Sequence, residues 1–329
     1  MPRHIRRPKA ATIAVLVVIG TLTAACGGEA STVSGTWSAP VHPYPAGTTA
    51  DTTSIYGVSC PTEAFCQAVD EQGGVTTWNG RTWSAPQRVS QGGTFNSVSC
   101  PTPDFCVAMN SQEALTWNGT SWSGPTPVGP APVGPTGGQY QVSCTSASFC
   151  ASVNTAGVVD LWNGTTWGQT AVAATGTASQ PVQTISCATT SFCVVVGASG
   201  VISTYRGSSW SQQPAPGVSL LHSVSCPTDQ FCMALDLAGR AVSFDGTSWA
   251  SAGVIPGSSA LTYAVSCPTA SMCAVARSDG SVSWWNKGTW TTGTSVLHDG
   301  TLATVTISCP TTRFCALGAS DGALATWRA

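Results

Sequence analysis

The chain has 329 residues, of which only 8% are charged, with 12 Lys and Arg against 14 Asp and Glu and a formal net charge of −2. No basic stripe for a phosphate backbone exists, which argues against a nucleic-acid binder. Abundant Gly, Ser and Thr with 13 tryptophans fit a β-rich extracellular scaffold.

Residues 1–25 open with Arg3, Arg6, Arg7 and Lys9, continue in an apolar run from Ala11 to Leu22, and end in Thr-Ala-Ala before Cys26. A basic start, a short apolar stretch and small residues make a secretory leader rather than a spanning helix. Its removal leaves 8 basic against 14 acidic residues, a net charge of −6. The segment Leu22-Thr-Ala-Ala-Cys26 resembles a bacterial lipobox, with Thr23 where that family usually has Leu. The resemblance implies an acylated Cys26 as the mature N-terminus, anchored on the outer face of the cell membrane. Residues 26–33 then read as lipidated cysteine and tether, and the stretch up to residue 54 stays rich in Gly, Ser, Thr and Pro.

One fragment interrupts that stretch. Ser34-Gly-Thr-Trp-Ser-Ala-Pro40 matches Gly80-Arg-Thr-Trp-Ser-Ala-Pro86, which lies in the tail of a repeated unit. That unit begins with Val58-Ser-Cys-Pro-Thr-Glu-Ala-Phe-Cys66 and returns at Val98, Val142, Ile185, Val224, Val265 and Ile307. The period is about 41 residues, in the range of propeller blades.

Each unit reads as four short strands, A to D. Strand A ends in Val/Ile-Ser-Cys and a tight turn leads into strand B at Phe/Met-Cys. A second turn rich in Gly, Asp or Asn feeds strand C, as in Val75-Thr-Thr-Trp78. Asn79-Gly80, Asn118-Gly119, Asn163-Gly164 and Asp245-Gly246 predict hairpin turns with both central residues at positive φ. Strand D follows with Trp83, Trp122, Trp167, Trp210, Trp249 and Trp290. The seventh unit supplies A, B and C and then the chain ends, so residues 34–40 are expected to be its missing outer strand. The fold expected over 34–329 is an all-β, seven-bladed propeller, four antiparallel strands per blade, with the last blade closed by the N-terminal strand.

Fifteen cysteines fall into Cys26 and seven C-x5-C pairs: Cys60 and Cys66, Cys100 and Cys106, Cys144 and Cys150, Cys187 and Cys193, Cys226 and Cys232, Cys267 and Cys273, Cys309 and Cys315. Each pair flanks a hairpin turn, where cross-strand β-carbons come close enough to bond. Each bridge would stabilise by about 2 kcal/mol on the chain-entropy model. Zinc would need ligand pairs side by side, not spread around a ring.

The tryptophans at C and D fall on one face and are expected to pack blade against blade; an aromatic sugar platform is the alternative. The hairpin W-N-G-x-x-W, as at Trp78 to Trp83, is similar to the Asp-box turn of sialidase-type propellers. The whole unit resembles the disulfide-stapled propeller repeats of secreted actinobacterial proteins and lipoproteins, a match over residues 31–329. That resemblance implies a fold and an address but no activity.

Four residues before each first cysteine stand Tyr56, Asn96, Tyr140, Gln183, His222, Tyr263 and Val305, a column that varies while the Val/Ile-Ser after it does not. The first six are the candidate ligand-binding residues, at the rim where propellers bind. Asp70, Asn110, Asn154, Asp236 and Arg277 at the B-to-C tips stand near them. His222 and His298 are single histidines, far apart in sequence, and read as bystanders to metal chemistry. Asn118-Gly-Thr and Asn163-Gly-Thr match glycosylation sequons but fall in hairpin turns, and Ser-Asp-Gly at 278 and 320 reads as a turn before a calcium site. No metal, cofactor or catalytic constellation emerges. The leading functional expectation is a monomeric, lipid-anchored, non-catalytic module that binds an extracellular protein or polysaccharide. The alternatives are a glycoside hydrolase or polysaccharide lyase on the same face, and a purely structural envelope protein.

Overall fold

The computed structural model describes residues 33–44, 53–91, 93–111, 113–128, 140–173, 179–257, 259–297 and 302–329. Residues 1–25, Cys26 and His298, with the leader and anchor expected there, lie outside them. The described residues form seven antiparallel sheets. In blade 1 the strands are Ile55–Thr62, Phe65–Asp70, Gly74–Trp78 and Gln87–Arg88. The order of strands in each sheet follows the chain except in blade 7, where Thr36–Trp37 adds to Val305–Thr311, Phe314–Ala319 and Leu324–Arg328. Thr36 pairs with Arg328 and Trp37 with Trp327, so the N-terminal strand closes the ring.

The clasp extends further than the repeat predicts. Val41 forms a bridge with Leu324, and Tyr44, which the sequence leaves in the tether, is buried between blades 7 and 1. Its hydroxyl donates to Asp70 Oδ2 at 3.0 Å. Burial, with the neighbouring Asp70 charge, pushes the Tyr44 phenol well above its ordinary value.

Packing runs between blades. Seven apolar clusters occupy the interfaces, each joining residues of neighbouring blades, as where Trp284 of blade 6 meets Trp327 of blade 7 with ring centroids 4.7 Å apart. The tryptophans at the C position do two jobs. Trp78 packs on Phe314 of the preceding blade, while its indole N–H donates to Glu63 O in its own A-to-B turn. Trp117 and Trp162 bond Pro103 O and Ala147 O in the same way, each indole tying strand C to the stapled hairpin. Those hairpins carry seven disulfides with S–S distances of 2.00–2.07 Å. Seven disulfides in one domain are the mark of an oxidising, extracellular environment.

Two local expectations need correction. In blades 1 and 2 Trp83 and Trp122 make only single bridges to Trp78 and Trp117, and the outer strands come later, at Gln87–Arg88 and Thr126–Pro127. In the Asn-Gly hairpins only the glycine has positive φ, +91° at Gly80, the pattern of a type II′ turn. Asn79 acts through its side chain, Oδ1 accepting from the backbone N–H of Arg81 and Thr82 at 3.0 and 2.9 Å. Blade 6 alone takes the expected form, with Lys287 at +47° and Gly288 at +95°.

Candidate functional site

Strand A is the innermost strand of each blade, and the edge it turns toward the channel side would leave amides unpaired. The serine before each first cysteine resolves this. Cys100 N–H donates to Ser59 Oγ at 2.9 Å, and the same bond runs from Cys144 to Ser99, Cys187 to Ser143, Cys226 to Ser186, Cys267 to Ser225 and Cys309 to Ser266. Cys60 N–H donates to Ser308 Oγ at 3.0 Å and completes the circle. Val-Ser-Cys is repeated because each serine holds the next blade's backbone. An edge amide left without a partner would cost about 1–3 kcal/mol.

Above this ring, at the rim where the A strands begin, lies a cavity of about 430 Å³ lined by all seven blades. Tyr56, Asn96, Gln183, His222 and Tyr263 line it, with Val305. A β-bulge turns four of them inward. In blade 1 Ile55 pairs with Asp70 and Gly57 with Val69, leaving Tyr56 without a cross-strand partner. Gln183, His222 and Tyr263 occupy the same extra position in blades 4, 5 and 6. An extra residue in one strand locally re-aims its side chain. Blade 2 reaches the same arrangement at its strand entry: Phe95 is buried, and Asn96 N–H donates to Met109 O at 2.8 Å.

Tyr140 is not brought to the cavity, which corrects its place among the candidates. Blade 3 has no bulge there: Tyr140 pairs with Asn154 and Gln141 with Val153 in unbroken register. Tyr140 therefore takes the core position held by Ile55 in blade 1 and is 1% exposed, while Gln141 lines the cavity. Its burial also raises the phenol above its ordinary value. Blade 7 is unbulged too, which buries Val305 and leaves Thr306 beside it on the cavity wall. Gln141, Thr304 and Thr306 escaped the sequence reading because a fixed offset from cysteine cannot register a bulge.

The B-to-C tip residues are likewise turned away from a ligand. Asp70 Oδ1 accepts from the backbone of Gln72 and Gly74 at 2.8 and 2.7 Å, and Asn154 Oδ1 from Ala156 and Val158, both at 3.0 Å. Asn110 Oδ1 accepts from Glu113 N–H at 2.8 Å. Asp236 accepts from the Arg240 backbone and, at 2.6 Å, from its side chain. Arg277, 2% exposed, donates to Ile255 O and Pro256 O. These five stabilise the turns that frame the cavity.

Among the described residues the cavity wall has no Asp, Glu, Lys or Arg. Burial pushes His222 below its ordinary value, so the imidazole is neutral at pH 7, and it meets Tyr263 edge-on with ring centroids 5.6 Å apart. In ring order, Asn96, Gln141 and Gln183 form a run of amides on blades 2 to 4, and His222 and Tyr263 form an aromatic run on blades 5 and 6 that Thr304 and Thr306 of blade 7 separate from Tyr56 on blade 1. Two buried polar atoms of the wall, Asn96 Nδ2 and Thr304 Oγ1, have no hydrogen-bond partner. Among the described residues no cluster of His, Cys, Asp or Glu could hold a metal ion.

No protein-family model matches the sequence, and no curated protein matches it. Solved structures are similar in fold. The WD40 β-propeller domain of Doa1 is 14% identical with a TM-score of 0.70, over 89% of this chain and 96% of that one. YCF48 bound to D1 peptide is 14% identical with a TM-score of 0.65, over 90% and 95%. A catalytically inactive virginiamycin B lyase from Staphylococcus aureus with quinupristin is 7% identical with a TM-score of 0.72, over 90% and 100%. At these identities the likeness is one of fold alone.

Proposed function

We propose that this chain is an exported, non-catalytic binding module that engages an extracellular protein or polysaccharide at the rim cavity. In this reading residues 1–25 are its export leader and Cys26, followed by a tether to residue 33, is its lipid anchor on the outer face of the membrane. The observation that carries the proposal is the cavity wall, where the described side chains vary from blade to blade, carry no charge and include buried polar atoms without partners. A wall of this kind binds and orients, and among the described residues it offers no carboxylate pair for glycosidic cleavage, its proton-transfer groups being His222 and the tyrosines. A neighbour of the same fold, YCF48, is described bound to a peptide, which gives the fold a precedent for binding.

The test uses the full chain, purified in detergent and immobilised, with cell-envelope extract passed over it as separate protein and polysaccharide fractions. Retention of an unaltered component, lost in the variant carrying His222→Ala and Tyr263→Ala together, supports the proposal. Shortened glycan in the flow-through would point to the hydrolase or lyase reading instead. A column that retains nothing would remove the proposal altogether.

A further inference from the structure

We propose that the rim cavity takes a neutral carbohydrate, with the apolar face of a sugar ring against the aromatic rings of Tyr56, His222 and Tyr263 and its hydroxyls on the amides of Asn96, Gln141 and Gln183. The inference rests on the cavity being the binding site and names the class of ligand it fits. Three features carry it.

The first is the division of the wall. Aromatic rings on one side and amides on the other match a molecule that is apolar on its faces and polar around its edge. A cavity of about 430 Å³ lies toward the lower end of the range of small-ligand sites, roughly 300–1,000 Å³, which suits a few sugar units rather than a folded partner.

The second is the pair of unsatisfied atoms. Asn96 is 9% exposed and its Nδ2 has no acceptor, and Thr304 Oγ1 on blade 7 has no partner either. Buried polar groups are normally bonded. A hydroxyl both donates and accepts, so one ligand chemistry satisfies both atoms. A carboxylated or cationic sugar would meet no counter-charge among the described wall residues, at a desolvation cost that none of them offsets.

The third feature disfavours an extended peptide. A peptide added along an inner strand needs free backbone donors on that edge. At the level of the cysteines all seven are already bonded to serine hydroxyls. In two interfaces the amide above is taken as well, Val142 N–H by Ser97 Oγ at 3.2 Å and Val265 N–H by Ser223 Oγ at 3.1 Å. At these positions recognition is left to side chains.

The experiment titrates the full chain with cellohexaose, maltohexaose and mannohexaose, with hexagalacturonate as the acidic counterpart and a neutral hexapeptide, followed by calorimetry and saturation-transfer NMR. Probes are taken to about 10 mM, where an affinity as weak as ~1 mM registers. At least one neutral hexaose is expected to bind and hexagalacturonate is not. Tyr263→Ala and Asn96→Ala should each weaken binding about tenfold. Tyr56→Ala, at a ring already 37% exposed, gives a variant whose folding is not in question and should weaken it several-fold. Binding of the peptide without any sugar, sugar binding indifferent to all three variants, or no sugar binding at all overturns the assignment. A component still retained from envelope protein in any of these cases leaves the binding module standing and changes only its ligand.

Discussion

Two rings of side chains lie one above the other on the same seven inner strands, and they obey different rules. In the lower ring every position is serine, because each hydroxyl must meet the backbone of the neighbouring blade at 2.9–3.0 Å. In the upper ring Tyr, Asn, Gln, His and Thr stand at equivalent places, because those side chains face the cavity and not another blade. Uniformity within a repeat thus marks a contact between units, and variation marks a surface released from that duty.

The strongest way to break this comparison is a pair of substitutions that the sequence treats as equals. Tyr140→Ala should cost about 3–4 kcal/mol, since it empties a core site between blades 2 and 3. Tyr263→Ala should cost about 1 kcal/mol, since its half-buried ring packs only on the edge of the core between blades 6 and 7. Chemical denaturation of both variants measures the gap, and equal losses would show that the bulge does not divide the two fates.

Next in size is the lower ring. Ser308→Ala removes the acceptor for Cys60 N–H at the seam and should destabilise by about 1–2 kcal/mol. Ser186→Ala, which interrupts the chain of bonds between blades 4 and 5, should cost the same. A seam variant that melts far below the interior one would mean the closure is the weaker joint.

A subtler effect concerns Asp160, a fully buried residue of strand C in blade 3 whose two carboxylate oxygens have no hydrogen-bond partner. Burial raises its pKa above the ordinary 3.8, so the folded state holds the proton more tightly than the unfolded chain. At a pH below the unfolded value both states are protonated and no penalty exists. As pH rises through that value toward the folded one, stability is lost. Asp160→Asn should therefore raise the melting temperature at pH 7 and leave it nearly unchanged at pH 3.5, which paired thermal melts will show. The smallest effect is expected at Asp245, where the Ser248 backbone and then the Thr247 hydroxyl hold the carboxyl at about 2. Asp245→Asn should shift stability slightly at neutral pH and not at all below pH 2, since the depressed group contributes only above that range.

The sequence carried the blade count, the strand order, the cysteine hairpins and the exchanged outer strand, because each is written seven times or, at Gly35-Thr-Trp37, as a displaced copy. It did not carry the register. Tyr140 and Tyr263 occupy the same offset from a cysteine, yet one extra residue in the ladder of blade 6 and none in blade 3 send them to opposite environments. The role of serine was hidden for another reason: its partner is a backbone amide about forty residues away in the chain, which no side-chain pattern reports. Tyr44 was missed because it belongs to no repeat and acts once, at the seam.

The serine ring has a direction: every blade's cysteine amide points back to the blade before it, and the bond from Cys60 to Ser308 has the same length as that from Cys226 to Ser186. At its hub the molecule is a cycle with no first or last member. Where the polypeptide begins is then a matter of where the loop was cut. Joining Ala329 to Ser34 and opening the chain in any other connection between blades should give a circular permutant with the same hub, its hydrogen bonds counted from a different start.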